Sequence, residues 1–188
     1  MIKVIRNAIS KDLCAVQAWN MDLLNAAMGY PGDPTMDNAF GYYAPVFLEG
    51  MLLHMKDIVE REVQKPLHPT YSYGRIYYAE SELTMHTDRP SSEWAVTCCL
   101  DKDTDWQIHF ETGFGGLEHV ELDVGDICIY KGIEYPHWRD VYTGKRHVQA
   151  MFMYVEQDGV YNRYALDGRE RLCQSEPLHK RLTDHLDC

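Results

Sequence analysis

The second half of the sequence alternates short β-rich segments with turns, and this rhythm limits the possible folds more than any other feature. Eight such segments lie between residues 71 and 156, separated by turns such as Gly113 to Gly116. Many short strands with frequent turns are typical of a β-sandwich or a β-barrel. The predicted strands are Tyr71–Tyr78, Leu83–Asp88, Trp94–Leu100, Trp106–Phe110, His119–Leu122, Ile127–Tyr130, Tyr135–Arg139 and His147–Glu156.

Helical patterns dominate the first 69 residues. After a short strand predicted at Ile2–Ile5, Ser10 is the predicted N-cap of a helix that runs to about Met28. The turn-rich residues 29–38 predict a loop, and a second helix is predicted from about Ala44 to Val63. The expected core-facing residues are Leu13, Val16, Asn20, Leu23, Leu24 and Ala27 in the first helix and Leu48, Leu52, Met55 and Val59 in the second.

The length of 188 residues suits one domain with a substantial core. We expect helical support from residues 1–69, a β core from 70–156, and a tail from 157–188. The tail is predicted to be either a final helix or a mobile segment over the mouth of the barrel. No apolar run reaches the roughly 20 residues that span a membrane, and the first residues lack the apolar region of a signal peptide. With six cysteines and no Cys-x-x-Cys, we expect reduced thiols and a cytoplasmic location.

The net charge of −11 argues against nucleic acid as the main partner, because phosphate binding requires a basic surface. Five basic residues nevertheless lie in the β-rich half of the chain. A basic pocket inside an acidic protein suits a small anionic ligand. These residues are Arg75, Arg89, Arg139, Lys145 and Arg146.

Two histidines and an aspartate in the β-rich half have the composition of a metal site. His86 and Asp88 are two residues apart on a predicted strand, so their side chains point to the same face. Together with the distant His137 they match the facial triad that holds Fe(II) and leaves coordination positions open. Because His-x-Asp tripeptides are common by chance, the prediction also depends on Arg146, nine residues after His137, whose guanidinium suits a carboxylate. The competing histidines, which lack a basic residue at a suitable distance downstream, are His109, His119 and His147.

These motifs resemble the iron(II)/2-oxoglutarate-dependent oxygenases, in particular the small prolyl-4-hydroxylase-like branch of bacteria and phages. The resemblance covers about residues 2–155. It implies a mainly β fold, the double-stranded β-helix or cupin-like jelly roll, with N-terminal helices packed on one side. The matching segments are Arg75-Ile76-Tyr77-Tyr78, Ser81-Glu82-Leu83-Thr84-Met85-His86-Thr87-Asp88, Gly125-Asp126-Ile127 and His137 through Arg146.

The resemblance also implies roles for individual residues. Arg146 would pair with the far carboxylate of 2-oxoglutarate, with Arg139 as the alternative anchor. Tyr77 stands where relatives often have a tyrosine that hydrogen-bonds this co-substrate, although tyrosines in such a strand also simply fill a β-rich core. The implied Fe(II) ligands are His86, Asp88 and His137.

The reaction implied by the resemblance consumes O2, converts 2-oxoglutarate to succinate and hydroxylates an unactivated C–H bond, with ascorbate as a candidate reductant. Asp88 favours hydroxylation, because related halogenases have a small residue in its place. Two other interpretations stay open: an iron oxygenase of the same scaffold that does not use 2-oxoglutarate, and a non-catalytic β-helix module that binds a ligand or partner. A prolyl peptide, a free amino acid and a small metabolite all remain candidate substrates, because a fold does not specify a substrate.

Overall fold

A computed structural model describes residues 1–28, 33 and 36–174. In chain order, the helices and strands are β1 (Ile2–Ile5), α1 (Lys11–Met28), β2 (Ala39–Tyr43), α2 (Val46–Val63), β3 (Leu67–Tyr78), β4 (Leu83–His86), β5 (Trp94–Lys102), β6 (Ile108–Thr112), β7 (Gly116–Val120), β8 (Ile127–Tyr130), β9 (His137–Arg139) and β10 (Arg146–Glu156). Short 3-10 turns lie at Pro90–Ser92, Gly113–Gly115 and Asn162–Gly168. Each of the eight predicted β-rich segments overlaps one of the strands β3 to β10, so these predictions are confirmed.

The strands form two antiparallel sheets. The larger sheet has the order β1-β8-β5-β10-β3-β2, and the smaller has the order β4-β9-β6-β7. Strands β3 to β10 therefore cross back and forth between the sheets along the chain. This arrangement is a double-stranded β-helix, or jelly roll, and it confirms the predicted fold class.

The last long strand, β10, separates two parts of the core. Its residues Val148, Ala150 and Phe152 belong to the cluster that includes Leu48 and Leu52 of α2. Its residues Met151 and Met153 belong to the cluster inside the barrel. Because side chains alternate along a strand, even-numbered residues of β10 face the helices and odd-numbered residues face the barrel interior.

The predicted buried face of helix α1 is confirmed only in part, since Leu13 and Leu24 pack against the core but the face is rotated. Val16 and Leu23 were expected in the core, but 46% and 68% of their surfaces are exposed. The buried face instead consists of Cys14, Gln17, Ala18 and Met21. Met21 sits over Gly74 of β3, where any added Cβ would collide with the methionine side chain. The close approach at a strand glycine therefore decides the rotation of the helix, and the hydrophobic pattern of α1 does not reveal it.

The region around α2 combines one missed strand with one confirmed helix. The edge strand β2 was not predicted, because its five residues include Gly41 and pair with β3 alone. Helix α2 begins at Val46, not at Ala44, since Ala44 has a φ of 51° and Pro45 precedes the first helical residue. The predicted buried stripe is confirmed, and its members are Leu48, Leu52, Met55 and Val59.

The segment after β10 is held against the barrel by buried charges. Arg169 pairs with Glu49 of α2 at 3.1 Å and donates a hydrogen bond to the carbonyl oxygen of Thr70 at 2.7 Å. Asp167 accepts hydrogen bonds from the Tyr43 hydroxyl at 2.6 Å and from Arg89 at 2.8 Å. The described part of the predicted tail is thus a series of fixed turns, not a long helix, while residues 175–188 lie outside the described residues.

The predicted loop at residues 29–38 also lies mostly outside the described residues.

The five described cysteines are free thiols, and four of them are buried. Within the described part of the chain, neither helix is long and apolar enough to cross a membrane.

Candidate metal centre

Two neighbouring strands of the smaller sheet bring the predicted triad together. His86 at the end of β4 lies opposite His137 at the start of β9, and their ring centroids are 4.4 Å apart. Asp88 follows β4 directly, and its Oδ1 lies 3.7 Å from His86 Nε2 and 3.8 Å from His137 Nε2. The three ligand atoms lie within 4.8 Å of one another. Among the described residues, no other group of three such side chains converges in this way.

Backbone carbonyl groups determine which ring nitrogen of each histidine is available. His86 Nδ1 lies 2.8 Å from the carbonyl oxygen of Thr84, and His137 Nδ1 lies 2.9 Å from that of Tyr135. A carbonyl can only accept, so each Nδ1 carries the proton and donates it. Each Nε2 therefore keeps its lone pair and faces Asp88, which is the arrangement that metal-binding histidines require.

Asp88 is the member of the triad with a buried oxygen that lacks a hydrogen-bond partner. Its Oδ2 is buried and has no hydrogen-bond partner. Burial raises the pKa of Asp88, while the charges of the two histidines, Arg89 and Arg75 act in the opposite direction. Gly132 makes room for this carboxylate, because a Cβ there would collide with Oδ2. A buried, unpartnered carboxylate is unfavourable until a cation binds it, so the site fits a divalent metal, and its two nitrogens and one carboxylate suit Fe(II).

Arg146 lies on the helix side of the larger sheet and not in the metal pocket. Its guanidinium pairs with Asp22 of α1 at 2.7 Å and also with Asp101 of β5. It shares a face of β10 with Val148 and Ala150, which pack against the helices. Arg146 and these apolar residues therefore face away from the barrel interior. This placement corrects the sequence-based interpretation of Arg146 as the pocket cation.

Arg139, the alternative anchor, points into the barrel two residues beyond His137. Only 2% of its surface is exposed, and its Nη1 donates to the carbonyl oxygen of Trp106 at 2.5 Å. Its guanidinium carbon lies 4.8 Å from the centroid of the Trp106 ring. Burial lowers the pKa of Arg139, and the nearby Tyr77 has the largest opposing effect. No Asp or Glu among the described residues forms an ion pair with this guanidinium.

Tyr77, which was predicted to contact the co-substrate, also lies inside the barrel. It is fully enclosed and contacts Trp106 edge to face, with ring centroids 4.8 Å apart. Tyr130 connects this region to the triad, because its hydroxyl lies 3.5 Å from His137 Nε2. His147 faces Tyr77 across β3 and β10. Sequence analysis considered His147 only as a competing third ligand and did not single out Tyr130, because only the pairing of strands brings them to this region.

Two further predicted pocket cations, Arg75 and Arg89, have carboxylate partners. Arg75 pairs with Asp33 at 2.7 Å, and Arg89 pairs with Asp167 at 2.8 Å. Both lower the pKa of Asp88.

The two other candidate histidines lie away from the triad. His109 and His119 are opposite each other on β6 and β7, with their Nδ1 atoms 2.6 Å apart. They form a hydrogen-bonded pair with each other away from His86 and Asp88. His137 is therefore the histidine that completes the triad.

No family model matches the sequence, and no curated protein matches it. Solved structures do match the fold. A prolyl-4-hydroxylase from Pseudomonas putida superimposes with a TM-score of 0.65 at 12% identity, covering 82% of this chain and 92% of that one. HygX from Streptomyces hygroscopicus, with nickel and 2-oxoglutarate bound, gives 0.65 at 14% identity, with 84% and 83% covered.

A third similar structure is SnoN, a non-heme α-ketoglutarate-dependent epimerase from nogalamycin biosynthesis. It gives a TM-score of 0.67 at 10% identity, covering 94% of this chain and 84% of that one. The chain thus has the jelly-roll fold of iron(II)/2-oxoglutarate oxygenases.

Proposed function

We propose that this protein is an Fe(II)/2-oxoglutarate-dependent dioxygenase that hydroxylates an unactivated C–H bond of an amino acid, peptide or other small substrate. The observation that carries the proposal is the convergence of the Nε2 atoms of His86 and His137 on a buried carboxylate inside this fold. The cytoplasmic location predicted from the sequence belongs to the same proposal.

In this proposal, His86, Asp88 and His137 hold the iron. When bound there, Fe(II) would supply the oxidising chemistry that consumes O2 and 2-oxoglutarate and yields succinate and CO2. The protein's own contribution is to fix three ligands on one side of the metal, so that positions on the other side stay open. His86 is the most exposed of the three, whereas His137 is buried. Substrate would therefore approach from the His86 side, and the co-substrate would extend into the barrel past His137.

The similar structures support the proposed metal and 2-oxoglutarate cofactors more strongly than they support the proposed hydroxylation. HygX holds nickel and 2-oxoglutarate, and a further HygX structure also holds hygromycin B, a small molecule. SnoN is an epimerase, so this fold serves more than one outcome. The intact carboxylate of Asp88 supports hydroxylation over halogenation, as the resemblance in sequence implies.

Turnover of 2-oxoglutarate tests the proposal. The purified protein would be supplied with Fe(II), ascorbate, O2 and 2-oxoglutarate, and succinate would be measured over a panel of amino acids and peptides. We expect Fe(II)-dependent succinate release that one or more panel members stimulate. Fe(II) binding without 2-oxoglutarate consumption would favour the iron oxygenase alternative, and absence of Fe(II) binding would favour the non-catalytic module.

A further inference from the structure

Helix α2 has an apolar face that points away from the larger sheet. Val46 and Leu53 are 70% and 52% exposed, although the same helix buries Leu48, Leu52 and Met55 on its other side. Val46 and Leu53 are seven residues apart, so they lie on one face of the helix. Apolar residues that line up on an exposed face indicate a surface that contacts something else.

Gly50 lies between these two residues on the same face. It is exposed, and a Cβ placed on it would meet no atom of the described residues within 4 Å. Alanine at an exposed helix position favours folding about four- to fivefold over glycine, so the described contacts do not account for a glycine here. A glycine does allow a second backbone to approach closely. Val46, Gly50 and Leu53 are called the outer face of α2 below.

The described residues end beside this outer face. The backbone N–H of Cys173 donates to Glu49 Oε2 at 2.9 Å, and Arg169 pairs with the same carboxylate at 3.1 Å. Leu172 packs against the main core cluster. Glu49 directly precedes Gly50, so the chain after residue 174 starts at the first turn of α2. Three further residues span up to about 10 Å, which is the distance between the axes of two packed helices.

The sequence after residue 174, which lies outside the described residues, has the pattern of an amphipathic helix. Leu178, Leu182 and Leu186 recur every four residues, and all residues between them are polar or charged. Pro177 directly precedes the first leucine, and proline is common in the first turn of a helix. As a helix, residues 178–186 span about 12 Å, which matches the roughly 10 Å from Val46 to Leu53.

The charges on α2 complement this segment. Asp57 lies one turn beyond Leu53 on the same face, is exposed, and forms no ion pair among the described residues. Lys180 and Arg181 directly precede Leu182. A leucine placed over Leu53 therefore brings a cation close to this carboxylate.

We propose that residues 178–186 form a further α-helix that packs its leucine side against the outer face of α2. The segment is tethered beside that face and meets it at a high effective concentration, so it occupies the face in preference to a second copy of the chain. This position is on the helical side of the larger sheet and away from the mouth of the barrel. The inference goes beyond the proposed function and does not rest on it.

Trypsin gives a direct readout on the full chain, because Lys180 and Arg181 are cleavage sites inside the proposed helix. A docked helix is cleaved only when it opens, so the rate follows the population of the undocked form. Leu53→Asp should raise the rate of cleavage at these two sites by about tenfold or more, the equivalent of the burial lost from one leucine. Leu117→Asp is the matched control, because this leucine is 59% exposed on β7 of the smaller sheet, and it should leave the rate unchanged. Intact-mass spectrometry of timed samples measures both rates.

The stability of Gly50 variants tests the close approach of the two helices. In the otherwise unchanged chain, Gly50→Ala should give no gain in stability, because its methyl group would push the docked helix away. Combined with Leu186→Asp, which removes part of the docking side, Gly50→Ala should favour folding by about four- to fivefold. Urea unfolding of the four proteins gives the comparison.

Equal cleavage rates in the wild type and Leu53→Asp would overturn the docking. A gain from Gly50→Ala of the same size with and without Leu186→Asp would also overturn it. A dimer in sedimentation, with a wild-type cleavage rate that falls as protein concentration rises, would assign the outer face to a second copy and contradict the inference. These measurements use neither Fe(II) nor 2-oxoglutarate, so every outcome leaves the proposed function untouched.

Discussion

At the scale of single residues, the sequence specifies the position of the triad better than the position of Arg146, which was predicted to anchor a carboxylate. His86 and Asp88 are two apart, so any strand places them on one face, whichever face that is. To place Arg146, the prediction had to specify which face of β10 points into the barrel. A shift of one residue moves every side chain to the opposite face, and here it places His147 inside and Arg146 outside. The convergence of the triad was therefore predictable from the sequence, but the side of the sheet on which Arg146 lies was not.

The triad leads to a prediction about metal binding. His86→Ala and His137→Ala should each abolish tight Fe(II) binding, because each removes one of three ligand atoms. Anaerobic equilibrium dialysis of Fe(II) measures the effect. His119→Ala is the matched control, since this histidine lies in a pair with His109 away from the triad, and it should bind Fe(II) like the wild type. Tight binding in either triad variant would exclude that residue as a ligand.

Asp88→Asn separates metal binding from stability. The substitution should abolish Fe(II) binding yet stabilise the metal-free protein by about 0.5–2 kcal/mol, because it replaces a buried, unpartnered carboxylate with a neutral amide. Urea unfolding in the presence of a chelator measures the free energy of unfolding. A clear loss of stability would mean that Asp88 has a structural role in the metal-free protein.

At the scale of elements, the positions of helices and strands were predicted from the sequence more accurately than the faces that they bury. Helix α1 was predicted correctly in position, but its buried face is set by contact with Gly74 of β3, a residue 53 positions beyond Met21. The segment at residues 157–174 is fixed by the pairing of Arg169 with Glu49. Neither contact leaves a local pattern in the sequence, so neither could be predicted from it.

The orientation of α1 can be tested by a pair of truncations. Met21→Ala should lower the free energy of unfolding by about 2–5 kcal/mol, because it opens a cavity in the core. Leu23→Ala, two residues further on, should change it by about 0.5 kcal/mol or less, because this side chain is largely exposed. Urea denaturation of both variants gives the comparison. A larger loss for Leu23→Ala would restore the orientation predicted from the sequence.

The buried pair that fixes the segment after β10 should matter strongly for stability. Glu49 accepts hydrogen bonds from Ser72 and Cys173 besides pairing with Arg169. Arg169→Gln would leave this carboxylate buried without a counter-ion and should destabilise the protein by about 3–5 kcal/mol. Arg163→Gln is the control, because Arg163 is exposed and contacts only the neighbouring Tyr164 among the described residues. Similar unfolding midpoints for the two variants would contradict the role given to Arg169.

At the scale of the whole molecule, the order of elements carried the most information. Two helices followed by eight short β segments indicate a β-sandwich or β-barrel, and the family resemblance implied the jelly roll with helices on one side that the sheets have. The net charge is −11, and Arg139 is a buried cation inside the barrel that forms no ion pair with an acidic side chain among the described residues. The proposed metal triad, together with the enclosed cation of Arg139 two residues beyond His137, favours a small anionic co-substrate.

A crystal structure of the protein with Mn(II), an inert substitute for iron, and 2-oxoglutarate tests the central claim most directly. We expect one metal ion bonded to His86 Nε2, the Asp88 carboxylate and His137 Nε2 at roughly 2.0–2.2 Å, the range of comparable nitrogen and oxygen ligands of zinc. The keto-acid end of 2-oxoglutarate should complete the coordination, and its other carboxylate should lie against Arg139. A metal bound elsewhere, or three side chains that do not converge on it, would contradict the account.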